Sequence, residues 1–225
     1  MNPHIYARLG YDPIADFVPI TRFVVGPLML AVHPGMPAKT VGELIELAKK
    51  KPGQFSYGSP GIGTPPHLAA ELFKRMAKID ATHVPYKSGA PALLDLAAGR
   101  VTYTIEGLAL QGPHVKTGKI RALAVTATKR VASFPDVPTV AESGLPLYEF
   151  LGWMGLAAPS GTPREIVAQL NVEMTKILKT PEARDWFAEH GGEPFADTPE
   201  EFAAFIKFEH ARWGPIIRDA GIRAE

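Results

Sequence analysis

Tyr57-Gly-Ser-Pro-Gly-Ile-Gly-Thr-Pro-Pro-His67 is the stretch whose reading decides the fold. Phe55-Ser-Tyr57 starts a strand, the glycine- and proline-rich run after it is a loop, and His67 to Met76 has the apolar spacing of a helix. Leu68, Leu72 and Met76 are placed for burial on one side of that helix. A strand that feeds a helix through such a loop gathers backbone N–H groups that have no intrahelical partner, at the positive end of the helix dipole. That is an anion-binding arrangement. Gly61 and Gly63, either side of Ile62, let the backbone come close to a ligand, and Ser59 and Thr64 add hydroxyl groups. The plainer alternative is a connector in which Thr64 or Ser59 caps the helix.

The loop is also informative for what it excludes. A phosphate-cradling loop of the G-x-x-x-x-G-K-[ST] type needs lysine after its last glycine, and Thr64 stands there. The dinucleotide fingerprint needs glycine where Pro66 lies. A hydrolase nucleophile elbow needs glycine two residues before the serine, and Tyr57 occupies that place relative to Ser59. Carboxylates or similar anions are what remain.

Outward from this stretch the same theme repeats. Leu28-Met-Leu-Ala-Val32 reads as a buried strand, and Thr40 with Glu43 has the spacing of a helix start with Val41, Leu44, Ile45 and Ala48 on one face. His83-Val-Pro-Tyr86 is a strand, and Ala90 to Ala98 a helix. Val101 to Ile105 and Ala122 to Thr126 are strands, as is Gly152 to Ala158. Helices are expected from Arg164 to Leu178, Pro181 to His190 and Pro199 to Asp219. Strand–helix alternation predicts an α/β fold with mainly parallel sheets. Glu106, placed at the carboxyl end of a strand, and Tyr86 with Ser88 at another strand-to-helix junction, lie where open parallel sheets hold ligands. Their plainer roles are a surface carboxylate for Glu106 and a helix cap for Ser88.

Composition sets the outer limits. The 225 residues, 46% hydrophobic and 21% charged, describe a globular protein with room for one large domain or two lobes. Lys plus Arg total 24 and Asp plus Glu 23, and that near balance argues against a nucleic-acid binder. There is no cysteine, which removes disulfides, thiolate metal sites and cysteine nucleophiles. The seven histidines show no metal-ligand spacing, and no cofactor is implied. Trp153, Trp186 and Trp213 are expected in the core or at a lobe contact. No stretch reaches the roughly 20 apolar residues of a membrane helix, and no signal peptide is visible.

Several strings, taken in order, resemble a known family. Ser56-Tyr-Gly-Ser-Pro-Gly-Ile-Gly-Thr-Pro-Pro-His67, His83-Val-Pro-Tyr-Lys87, Gly118-Lys-Ile-Arg-Ala-Leu-Ala-Val-Thr126, Phe134-Pro-Asp-Val-Pro-Thr-Val-Ala-Glu-Ser-Gly-Leu145 and Gly155-Leu-Ala-Ala-Pro-Ser-Gly-Thr-Pro163 are similar to those of the Bug-type solute-binding proteins of the tripartite tricarboxylate transporters. The resemblance implies a two-lobed fold like the type II periplasmic binding proteins. It also implies a non-enzymatic role, periplasmic location, a small carboxylate or amino-acid ligand, and delivery to membrane transporter subunits. Carried over residue by residue, Ser59, Gly61, Ile62, Gly63 and Thr64 form the ligand loop of the second lobe, with His67 just behind it. Glu106 stands where many members carry Asp in a Phe-Asp-Asn segment. The start of the chain resembles a stretch from well inside the family sequence. The expected division is therefore residues 25–148 as a complete second lobe, with residues 1–24 and 149–225 as the remainder of the first. An incomplete first lobe predicts self-association through unpaired edges. Two other readings stay open: a hydrolase-like enzyme using Ser59, His67 and Glu106, and a truncated remnant that dimerises or binds nothing.

Overall fold

The computed structural model describes residues 2–223; Met1, on which the reading of the chain's start turns, lies outside them. The chain forms two compact units, Met1–Val25 with Trp153–Glu225, and Gly26–Gly152. The elements, in chain order, are α1 (Asn2–Ile5), β1 (Phe17–Val32), α2 (Val41–Lys50), β2 (Ser56–Ser59), α3 (Pro65–Ala77), β3 (Thr82–Pro85), α4 (Gly89–Ala97), β4 (Tyr103–Gly107) and α5 (Leu108–Lys116). After these come β5 (Arg121–Val125), β6 (Leu151–Pro159), α6 (Arg164–Leu178), α7 (Pro181–Glu189), β7 (Glu193–Pro194) and α8 (Pro199–Asp219).

The Gly26–Gly152 unit is built on strands in the order β3-β2-β4-β1-β5. Leu28 to Val32 are buried throughout, as suits the run of apolar residues between two neighbouring strands. β1 runs antiparallel to both neighbours, with Leu30 opposite Ile105 and Ala124. β2 is parallel to β3 and β4. The sheet is therefore mixed, and β2, β3 and β4 bring their carboxyl ends to one edge. β1 is also longer than Leu28–Val32, starting at Phe17 and running through Pro19, Gly26 and Pro27 without ending at any of them.

Helix faces follow the apolar spacing with one revision. α2 buries Val41, Leu44, Ile45 and Ala48, and the Thr40 hydroxyl accepts the Glu43 N–H. On α3 the buried face is Leu68, Ala69, Ala70, Phe73 and Ala77, while Leu72 and Met76 are only half-buried. The turn of the helix is set by Phe73, which meets Tyr103 and Tyr148 edge-on at ring separations of 5.8 and 6.2 Å. Tyr148 adds a hydrogen bond from its hydroxyl to the Ala69 carbonyl, 2.8 Å. The Tyr103 hydroxyl, equally buried, has no partner among the described residues. A buried unpaired hydroxyl costs more than it returns. Tyr103→Phe is therefore expected to raise stability by about 1 kcal/mol, read as a melting point higher by about 2–4 °C. A clear fall in melting point would show that the hydroxyl is bonded.

In the other unit the first part of β1 pairs with β6 and β7, Val24 lying opposite Pro194 and Val25 opposite Glu193. α8 starts with a full capping box, Thr198 and Glu201 each satisfying the other's backbone N–H. Trp213 is buried and donates from Nε1 to Glu209 at 2.9 Å, and Trp153 packs edge-on against Phe202 and Phe205. Trp186 departs from expectation. It is 53% exposed and stacks on His190, because α7 buries no residue. Among the described residues no helix is long and apolar enough to cross a membrane.

Candidate functional site

Three strand-to-helix junctions share the carboxyl edge of the β3-β2-β4 trio: Ser59 to Thr64 before α3, Tyr86 to Ser88 before α4, and Glu106–Gly107 before α5. In open sheets this edge is where ligands sit. The junctions are tied together. Tyr86 N–H donates to the Ser59 carbonyl at 2.9 Å. A Cβ on Gly58 would lie 3.2 Å from both the Tyr86 ring and the Ala92 methyl, so β2 passes there because it carries glycine.

Most of the loop's polar groups are spent on its own shape. Gly61 and Gly63 adopt positive φ of 132° and 77°, which L side chains rarely tolerate. The Ser59 hydroxyl belongs to a residue only 1% exposed; it accepts the Gly61 N–H at 3.2 Å and meets His83 Nε2 at 2.7 Å. Thr64 donates its hydroxyl proton to the Gly61 carbonyl at 2.7 Å instead of capping α3. Gly63 N–H donates to His67 Nδ1 at 2.9 Å, which places the His67 proton on Nε2. Pro65 and Pro66, the first two residues of α3, have no N–H to offer. Two amides of the loop make no hydrogen bond among the described residues, those of Ile62 and His67. The anion-binding capacity predicted for the loop therefore narrows to this pair.

Beneath the loop lies a stack of rings. His67 and His83 are 3.9 Å apart and nearly parallel, and Tyr57 stacks on His83 at 4.8 Å. Burial pushes both imidazoles down to about 4, helped at His67 by Lys74 and at His83 by His67. Both are neutral near pH 7. Tyr57 donates its hydroxyl proton to Glu71, which also pairs with Lys74 at 2.7 Å.

The remaining candidates divide. The Tyr86 hydroxyl is committed to Asp95 at 2.8 Å, and burial together with that carboxylate pushes it up to about 12. Ser88, the residue before α4, makes no side-chain capping bond, and its hydroxyl has no hydrogen bond among the described residues. Glu106 is half-buried at the end of β4; one carboxylate oxygen accepts the Gly107 N–H at 2.8 Å, and burial raises its pKa against that bond. Ser59, His67 and Glu106 do not form a hydrogen-bonded set. The imidazole on Ser59 belongs to His83, and Glu106 is held by its own neighbouring amide. His83 becomes recognisable only once β2 and β3 are paired in register, with His83 opposite Tyr57. Gln111 was also invisible in the sequence. It is fully buried on α5 and donates to the carbonyls of Met29 and Glu106 at 2.7 and 3.2 Å, fixing the end of β4. Among the described residues no group of three His, Asp or Glu is placed to hold a metal.

Comparison with known proteins places the chain in a family. Residues 1–222 match the family described as TctC, tripartite tricarboxylate transporter family receptor. A relative from Pseudomonas sp. (strain P51), the UPF0065 protein in the tcbD-tcbE intergenic region, is 36% identical over 97% of this chain. The chain spans 66% of that relative's length. Among solved structures, R. palustris Rpa4515 with adipate superposes with a TM-score of 0.91 at 39% identity, covering 98% of this chain and 74% of that one. MatC (Rpa3494) from Rhodopseudomonas palustris with bound malate gives a TM-score of 0.85 at 29% identity, covering 95% and 74%.

Proposed function

Since the chain belongs to the tripartite tricarboxylate transporter receptor family, we propose that it is a solute-binding protein whose Gly26–Gly152 unit grips a small carboxylate. The observation that carries this reading is the pair of unspent amides, Ile62 and His67, on the loop before α3. A carboxylate oxygen accepts from each without disturbing the loop, since the Gly61 and Gly63 amides are already satisfied. Ser88 adds a hydroxyl from the neighbouring junction and Glu106 borders the site on β4. Two similar proteins of known structure are described as holding dicarboxylates, adipate and malate. In this reading the protein works in the periplasm and delivers its ligand to membrane subunits of the transporter.

The hydrolase alternative finds less support. The Ser59 hydroxyl is buried, spans its own loop and faces an imidazole that burial leaves a weak base. Thermal melts of the full chain against succinate, adipate, malate and citrate test the binding reading. At a concentration 100-fold above Kd, a ligand adds about 2.7 kcal/mol and moves the melting point by about 5–10 °C. A folded protein whose melting point is unmoved by every acid in that panel would end the proposal.

A further inference from the structure

We infer that Glu106 makes this site prefer carboxylates bearing a hydroxyl or ammonium group over plain diacids of the same length, given the preceding reading of the loop before α3 as the carboxylate holder.

Glu106 presents an unspent acceptor. Its Oε1 takes the Gly107 N–H at 2.8 Å, while Oε2 has no hydrogen bond among the described residues. That oxygen is not among the sealed, partnerless polar atoms, which are the Tyr103 hydroxyl and His114 Nδ1, so it keeps some exposure to solvent. No described cation pairs with the carboxylate. Its position is held by shape. Gly89, the first residue of α4, leaves the space that Oε2 enters: a Cβ there would lie 2.9 Å from Oε2 and 2.6 Å from Leu110 Cδ2. The carboxylate thus fills the start of α4, another place on this edge where a ligand's second carboxylate would find unpaired amides. Gln111 locks the same strand end through the Glu106 carbonyl at 3.2 Å.

A ligand gripped at Ile62 and His67 therefore meets an acceptor at the end of the neighbouring strand. β2 and β4 are paired directly, and adjacent strands lie ~4.8 Å apart, so the loop after β2 and the end of β4 are neighbours on this edge. A second carboxylate aimed at Glu106 is repelled, whereas a hydroxyl or ammonium donates to Oε2.

Calorimetric titration of the full chain with succinate, L-malate and L-aspartate reads the preference at constant chain length. Malate or aspartate is expected to bind at least about tenfold more tightly than succinate. Glu106→Gln, with an amide that donates as well as accepts, is expected to bring the ratio within roughly threefold. Succinate binding as tightly as both others, or a preference unchanged in Glu106→Gln, would overturn the inference and leave the carboxylate loop standing. If none of the three binds the folded chain, the loop reading fails and the inference falls with it.

Discussion

Asp197→Ala is expected to remove about 3–5 kcal/mol of stability, seen as a melting point lower by roughly 10 °C. One Asp197 oxygen accepts the Arg22 N–H at 2.8 Å and the other accepts Arg22 Nε at 2.7 Å. The pair is nearly sealed from water, with side-chain exposures of 14% and 4%. Arg22 is further held with Phe195 and Phe205 rings 4.2 and 3.9 Å from its guanidinium carbon. Asp197 ties in the backbone too, since Asn171 bridges its carbonyl and that of Ile20 at 2.8 Å each. Alanine would strand a cation among aromatic rings and leave the Arg22 amide unpaired, and both losses count in full because water cannot replace the carboxylate. Asp197→Asn keeps the shape and should lose less. A melting point for Asp197→Ala within a degree or so of the parent would show that the pair contributes little.

The second large effect is acid sensitivity. His67 and His83 are held at about 4 in the folded chain against an ordinary value of 6.5. As pH falls below 6.5 the unfolded chain takes up protons that the folded chain refuses, so stability is lost down to about pH 4 and no further from these groups. Each tenfold difference in proton affinity is worth about 1.4 kcal/mol, so the sealed His67 accounts for roughly 3 kcal/mol. His83 is partly open to water, and solvent screening reduces its share to about 2 kcal/mol. His4, lowered chiefly by burial, acts in the same direction, whereas Glu106, raised by burial, opposes it. Asp12, Asp95, Glu142 and Glu201 are lowered carboxylates whose stabilisation is lost only at more acid pH. Urea midpoints between pH 7 and pH 4.5 therefore report mainly the imidazole pair. His83→Phe, which preserves the ring stack, should remove a little under half of the slope. A midpoint that is flat over this interval would contradict the neutral-pair assignment.

Much of the α/β plan could be read from the chain because periodicity and punctuation agreed locally. Arg164–Leu178 is helical over the expected residues, and Thr40 caps where its spacing to Glu43 places it. What escaped depended on pairing between distant residues. Phe23 to Val32 reads as strand despite Gly26 and Pro27, but the earlier part of β1, from Phe17 through Pro19, was not legible. The burial face of α3 was set by Tyr103 and Tyr148, which no local pattern reveals. At the candidate site the residue types were legible, but their allegiance was not. Ser59, Thr64 and Tyr86 look like ligand groups in the sequence, yet each spends its hydroxyl on the protein's own framework. His83 and Gln111, which shape the same edge, carry no sequence signal of that role.

Pro65 and Pro66 also decide what this loop could be engineered to become. A receptor for phosphoryl groups at a helix start draws on a run of successive amides. Here two of the first three helical positions supply none, and the glycine amides before them are held by Ser59 and His67. Redesign toward phosphorylated solutes would have to begin with the two prolines, ahead of any added lysine or arginine.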